Sequence, residues 1–300
     1  MRARWIVNQR SGASASFEDL QTTIEALAGH QIVMTAELRD TEAAVDSARH
    51  AGFDTVIACG GDGTVNAVVS ALMRCTPSID RPALGVLPLG TGNDFARTLG
   101  MPMYGPQAID SLLSARRIAC DVVQVRSPAQ TRFSVNVSAG GFSGQVNEAA
   151  TSEVKSFWGP LAYMRSAIAV LPELAHYRAT VRFDDGPIEQ IELLNVIVAN
   201  ARTAAGGTVV APQAQIDDGL LDVVIVRGGT MLDYAAIGTR LLAGDYTSHD
   251  LVELRRCRTL SIASEPALTF NVDGDLLPPT TLTFEVLPSA VEVLVPVKAP

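Results

Sequence analysis

The chain is poor in cysteine, aromatics and positive charge, and each shortage removes a class of function. Its four cysteines, Cys59, Cys75, Cys120 and Cys257, are scattered and form no C-x-x-C pair, which argues against a metal cluster or a disulfide framework. Reduced, partly buried thiols in the cytoplasm are the expectation. Aromatic residues make up only 5%, so no ring-rich surface for stacking bases is available. Lys and Arg number 23 against 32 Asp and Glu, a formal net charge of −9. That balance speaks against a nucleic-acid binder, which needs a cationic footprint, and against attachment to anionic lipid by bulk charge. No apolar run approaches the roughly 20 residues of a membrane helix. Met1-Arg2-Ala3-Arg4 leads into Trp5-Ile6-Val7 without the apolar core of a signal peptide. His30, His50, His176 and His249 show no metal-ligand spacing.

What is present is glycine in two telling places. Residues 56–66 read Val-Ile-Ala-Cys-Gly-Gly-Asp-Gly-Thr-Val-Asn, an apolar strand emptying into a glycine-dense loop ahead of a helix. The N–H groups of Gly60, Gly61, Gly63, Thr64, Val65 and Asn66 form an anion nest suited to phosphate. Asp62 is the odd member: a carboxylate beside a polyphosphate is repulsive unless a cation sits between them, which points to magnesium. The plain alternative is a strand–turn–helix connection built from good turn residues. Residues 84–97 repeat the pattern, with Gly90-Thr91-Gly92-Asn93-Asp94 after the run Leu84–Leu89. Two such loops after successive parallel strands fall at one sheet edge, where open α/β sheets bind ligands. Neither loop fits G-x-x-x-x-G-K-[ST] or the dinucleotide spacing G-x-G-x-x-G.

Gly60-Gly61-Asp62-Gly63-Thr64 followed by Pro88-Leu89-Gly90-Thr91-Gly92-Asn93-Asp94-Phe95-Ala96 resembles the bacterial diacylglycerol/lipid kinase family, related to sphingosine and ceramide kinases. The resemblance continues through Asn195–Asn200, Ala211-Pro212-Gln213-Ala214, Asp217–Asp222 and Val272-Asp273-Gly274-Asp275. It implies an ATP-dependent, Mg²⁺-dependent kinase for a lipid hydroxyl, diacylglycerol or a related glycerolipid or sphingolipid. The fold implied is an α/β nucleotide-binding domain (NAD kinase/diacylglycerol kinase-like), then a β-rich, sandwich-like second domain. Boundaries fall at 1–121, with a returning segment at about 287–300, and at 122–286. By the same resemblance the Gly60–Asn66 loop contacts the nucleotide phosphates, Asp62 engages the catalytic ion, and Thr91 donates its hydroxyl to the nucleotide. Thr35 matches a threonine near the nucleotide, although it suits a turn or cap equally. Asn8 opens an element usually written Asn-Pro-x-x-Gly, which here reads Asn8-Gln9-Arg10-Ser11-Gly12 without the proline. A structural Mg²⁺ is implied on the Asp218 side chain with the carbonyls of Gln215 and Leu220. The local alternative there is a hairpin turn.

The resemblance also assigns the catalytic base. The family's Asp-Gly-Glu reads Asp273-Gly274-Asp275 here, so Asp275 takes the substrate proton with a side chain one methylene shorter, and Asp273 orients the loop or shares the role. Misplacement by about 1 Å can cost on the order of a hundredfold in rate, so a catalytically lapsed nucleotide-binding protein stands as one alternative. NAD kinase, which shares Gly-Gly-Asp-Gly-Thr, is another, with Asn147-Glu148 echoing its Asn-Glu pair.

With 300 residues and 47% hydrophobic content, two domains are the natural division. The first stretch alternates: strands 4–8, 31–36, 54–59 and 83–87, helices 16–28, 41–51, 64–73, 93–99 and 106–114, the rhythm of a parallel sheet covered on both faces. From about Ile118 the texture turns to strands: 121–125, 132–137, 179–183, 191–199, 220–226, 259–262, 268–272 and 281–286. Glu153–Tyr177 is the exception. Val154, Phe157, Leu161, Met164, Ile168 and Leu171 make an apolar helical stripe, either lipid-facing with Phe157 and Trp158 at the membrane surface or covering the β-domain or a homodimer partner. Arg255, Arg256 and Arg258 read as a solvated strand edge or a headgroup contact. The expectation is a cytoplasmic protein with peripheral membrane association open to it.

Overall fold

The structure, a computed structural model, describes residues 1–9, 13–75, 81–141 and 176–297. It divides into two compact units, Met1–Val122 with Pro288–Pro300, and Val123–Leu287.

In the first unit the chain runs β1 (Ala3–Asn8), α1 (Ala13–Glu25), β2 (Gln31–Thr35), α2 (Leu38–His50), β3 (Thr55–Gly60), α3 (Asp62–Cys75), β4 (Ala83–Pro88), α4 (Asp94–Thr98) and α5 (Gly105–Leu113). A last strand, β17 (Leu282–Val295), enters from the second unit. The order β2-β1-β3-β4-β17 has only parallel neighbours. Every residue of β3 and β4 is buried, as expected of parallel strands covered on both faces. Trp5 and Arg4 are buried on β1: Trp5 Nε1 donates to His30 Nδ1 at 2.9 Å, and the two terminal nitrogens of Arg4 donate to Ala44 O and Gln31 Oε1, while its Nε makes no hydrogen bond among the described residues. α3 starts two residues earlier than the apolar pattern suggests. Gly61 O accepts from Thr64 N and Val65 N, so Asp62 and Gly63 form the first helical turn, where an acid is favoured.

The second unit holds β5 (Arg116–Arg126, shared with the first unit), β6 (Thr131–Ser134), β7 (Val137–Gly141), β8 (Tyr177–Phe183), β9 (Ile188–Ala199), β10 (Thr203–Ala204), β11 (Thr208–Val209) and β12 (Leu221–Arg227). α6 (Met231–Ala243), β13 (Val252–Cys257), β14 (Thr259–Glu265), β15 (Phe270–Val272) and β16 (Asp275–Leu277) follow, before β17. The order β16-β15-β7-β9-β8-β14-β17 is antiparallel throughout, and β12, with β13 on its outer side, also pairs with β9. Alternation sends Val196, Val198, Val223 and Val272 into one core. Val137, Ile197 and Val224 go to the other face, against Ile237 of α6 and Tyr246.

Three differences from the sequence reading stand out. α6 and β13 occupy a stretch given no element. α6 was legible in its caps: Thr230 Oγ1 accepts from Asp233 N, Asp233 Oδ2 accepts from Thr230 N, and Gly244 closes the helix at φ 80°. Its apolar residues fall on both sides, since Leu232 and Leu242 are exposed, and that blurs the period. β13 carries Glu253, Arg255 and Arg256, too charged to alternate. Tyr177 opens β8 and is not a helix terminus; the rest of the proposed helix up to Ala175, with Phe157 and Trp158, lies outside the described residues, as do Asn147 and Glu148.

Candidate active site

Asn8, Thr35, Gly60 and Pro88 end β1, β2, β3 and β4 at one edge of the parallel sheet. Strand order reverses between β1 and β3, which makes this the topological switch point, where open α/β sheets take ligands. Arg10, Ser11 and Gly12 of the β1 loop lie outside the described residues. On the β3 side only Gly61 separates strand from helix, so the N–H groups opening the long α3 face the crevice, a setting suited to phosphate.

The two glycine loops meet backbone to backbone. A Cβ on Gly90 would stand 2.4 Å from Gly61 Cα, and one on Gly60 would stand 2.3 Å from Thr64 Oγ1. Gly63, by contrast, has nothing within 4 Å of a Cβ. Asn93 sets the second loop: at φ 54° its Oδ1 accepts from Gly90 N at 2.9 Å and its Nδ2 donates to Gly90 O at 2.6 Å. The sequence reading gave Asn93 no role; an Asn after Gly-x-Gly, tolerant of the left-handed region, was the available signal. Thr91, held away from this clamp, is exposed.

Asp62 joins the loops electrostatically. Its Oδ1 accepts from Phe95 N at 3.0 Å, bracing the start of α4. Among the described residues Oδ2 makes no hydrogen bond. A half-exposed carboxylate with one oxygen fixed and one open fits a hard cation. Thr35 is buried, and its hydroxyl donates to Val7 O at 3.3 Å. The sheet therefore already uses that donor, leaving its lone pairs for any ligand. Asn66 Oδ1 accepts from Ser70 Oγ on the next turn of α3. Thr64 and Val65 are buried beneath the loop.

In the second unit Asp273-Gly274 forms the two-residue turn between β15 and β16, at φ 47° and 100°, the paired positive values of a type I′ hairpin. Asp273 is held firmly: its Oδ2 accepts from Val135 N and its Oδ1 from Val137 N, both at 3.0 Å. These bonds make it a brace between the turn and the β6–β7 connection. Asp275 opens β16 with its side chain 65% exposed, and Arg132 Nη1 lies 3.8 Å from its Oδ2. Nothing in the local sequence signalled Arg132, which reaches it from β6.

Asp218 lies on the turn entering β12. Its Oδ1 accepts from Leu220 N at 3.1 Å and its Oδ2 from Arg256 Nη2. Gln215 precedes it on the same loop. Asp222 is almost wholly buried; burial pushes its carboxyl above the usual range, with Arg256 opposing. Among the described residues no three His, Cys, Asp or Glu side chains group to hold a metal. No helix among them is long and apolar enough to cross a membrane.

Fold and loops together define an α/β unit, with two glycine loops at one edge of its parallel sheet, joined to a β-rich unit. Residues 2–125 match the diacylglycerol kinase catalytic domain, and residues 136–295 match the YegS C-terminal NAD kinase beta sandwich-like domain. A diacylglycerol kinase of Staphylococcus saprophyticus is 31% identical over 278 residues, covering 91% of this chain and 88% of that protein. One from Staphylococcus aureus strain Newman is also 31% identical, covering 91% and 86%. The crystal structure of a diacylglycerol kinase from Bacillus anthracis str. Sterne superposes with a TM-score of 0.79 at 22% identity, over 98% of this chain and 96% of that one, a likeness of fold. The chain belongs to the diacylglycerol kinase family. It is a lipid kinase, and the family implies ATP as the phosphoryl donor.

Proposed function

We propose that the protein transfers the γ-phosphate of ATP to the hydroxyl of diacylglycerol, or of a closely related lipid, at a membrane surface. Asn8, Thr35, Gly60–Asn66 and Thr91 hold the nucleotide, and Asp62 holds the Mg²⁺ that accompanies it. Bound there, the ion neutralises charge on the phosphate oxygens; positioning and charge neutralisation carry most of a phosphoryl transfer. Asp275 accepts the hydroxyl proton as the alcohol oxygen bonds to the γ-phosphorus and the bond to the ADP oxygen breaks. Asp273 orients the turn. The observation that carries this reading is the exposed carboxylate of Asp275, presented by a type I′ turn whose other acid is fully engaged in bracing it.

The test is transfer from radiolabelled ATP, with Mg²⁺, to a panel of detergent-dispersed lipids and to NAD, resolved by chromatography. Label in diacylglycerol supports the proposal. Label in a sphingoid base or ceramide instead reassigns the acceptor, and label in NAD rejects a lipid acceptor. Asp275→Asn is expected to abolish transfer with ATP affinity nearly unchanged, and an active variant would remove the base assignment.

A further inference from the structure

The turn entering β12 already holds a cation, and it is part of the chain. Arg256 is the cross-strand partner of Asp222 in the β12–β13 pair. From that position Nη2 donates to Asp218 Oδ2 and Nε stands 3.5 Å from Asp222 Oδ2. The second contact has the distance of an ion pair without the alignment of a hydrogen bond, since Asp222 Oδ2 makes none. The remaining Asp218 oxygen accepts the Leu220 N–H. Both Asp218 oxygens are thus engaged by N–H donors, and one guanidinium answers two carboxylates.

We infer that in this chain Arg256 takes the place of the structural magnesium ion that the family resemblance assigns to Asp218, Gln215 and Leu220. A divalent ion on Asp218 would sit a few ångströms from a guanidinium that cannot be deprotonated, and the two would repel. Mg²⁺ also needs close to six oxygens in octahedral array and gives up its water reluctantly. Arg256 has neither requirement, and because it is tethered its local concentration does not depend on the ions in solution. The register from Leu221↔Cys257 to Val226↔Val252 fixes the backbone position from which the guanidinium reaches both carboxylates. The metal requirements of the two units therefore separate. Removing Mg²⁺ stops transfer at the nucleotide, but leaves the β12 turn intact.

The experiment uses the full chain without nucleotide, stripped with EDTA, and reads stability and ion binding, not turnover. Wild type is expected to melt at the same temperature in EDTA and in millimolar Mg²⁺, and to show no Mn²⁺ site by electron paramagnetic resonance that Asp218→Asn removes. Arg256→Gln is expected to melt lower in EDTA, to recover with Mg²⁺, and to gain a Mn²⁺ site that is absent from the Arg256→Gln/Asp218→Asn double variant. A wild-type Mn²⁺ site lost in Asp218→Asn, or a wild type destabilised by EDTA, would overturn the inference even if Arg256→Gln fails to fold. Loss of stability in Arg256→Gln that Mg²⁺ does not restore would overturn the equivalence of the two cations.

Discussion

Side-chain length at residue 275 is the most exposed choice in this chain. The family motif ends in Glu, and Asp275 reaches one methylene less far, beside Arg132. A general base contributes typically about 10²–10⁴-fold. Asp275→Glu is therefore expected to keep at least wild-type turnover, because the hairpin is open at that position. A drop of tenfold or more in kcat, with KM for ATP unchanged, would show a site rebuilt around the shorter acid. Gly90 is the opposite case, a residue chosen for what it lacks. With 2.4 Å available between its Cβ position and Gly61 Cα, Gly90→Ala is expected to destabilise by about 1–3 kcal/mol through overpacking. It is also expected to weaken ATP binding as the loops part; calorimetry reads both, with Gly63→Ala as the unstrained control for stability. Such residues were legible because glycine in this pattern has few structural meanings. Arg132 and Arg256 were not, since each meets an acid on a strand distant in sequence, and such proximity is invisible in one chain read end to end.

Elements divide the same way. The parallel βαβ rhythm of the first unit was legible because β1, β3 and β4 are buried, largely apolar runs that end in turn residues. α6 was missed because its apolar residues do not make one stripe, and the cap is what defines it. Thr230→Ala removes the acceptor for Asp233 N and is expected to cost about 1 kcal/mol, seen as lower thermal stability and faster amide exchange across the first turn. β13 was missed for its charge, and that charge has a measurable signature. Hydrogen bonds from Arg255 hold Glu189 below the usual carboxylate range. Burial works to raise Glu253, but hydrogen bonds from Arg255 and Arg227 outweigh it and hold it low as well. For such depressed groups the contribution to stability is complete above the unfolded value, about 4.3 for Glu, and is lost as pH falls through the folded value. Buried Asp222, shifted upward, has the opposite sign: its cost is present at neutral pH and relieved by acid. The melting temperature is expected to hold steady near neutrality and to fall below about pH 4.3, with a shallower fall in Glu253→Gln.

At the scale of the molecule, the organising fact is that β17 serves both units. Its first half pairs with β14 in the second, and Val293 pairs with Leu84 in the first. Val291, Val293 and Leu294 are buried, Arg81 Nη1 donates to Ala290 O at 2.7 Å, and Ser289 N donates to Asp121 Oδ1 at 2.7 Å. A chain ending at Leu287 retains every residue assigned to the nucleotide, yet leaves the outer side of β4 unpaired and its core open. It is expected to lose ATP binding and to show a lower or absent first-unit melting transition, as read by calorimetry.

β17 also dictates an order of events during synthesis. Ribosomes add about 5–20 residues per second, so β1 to β4 emerge on the order of ten seconds or more before the strand that closes their sheet, with the second unit translated in between. Through that interval β4 is an uncovered hydrophobic edge on a nascent chain, the kind of surface that chaperones hold and that neighbouring chains on a polysome find. The parallel sheet of the first unit is therefore closed only after the whole second unit has been made.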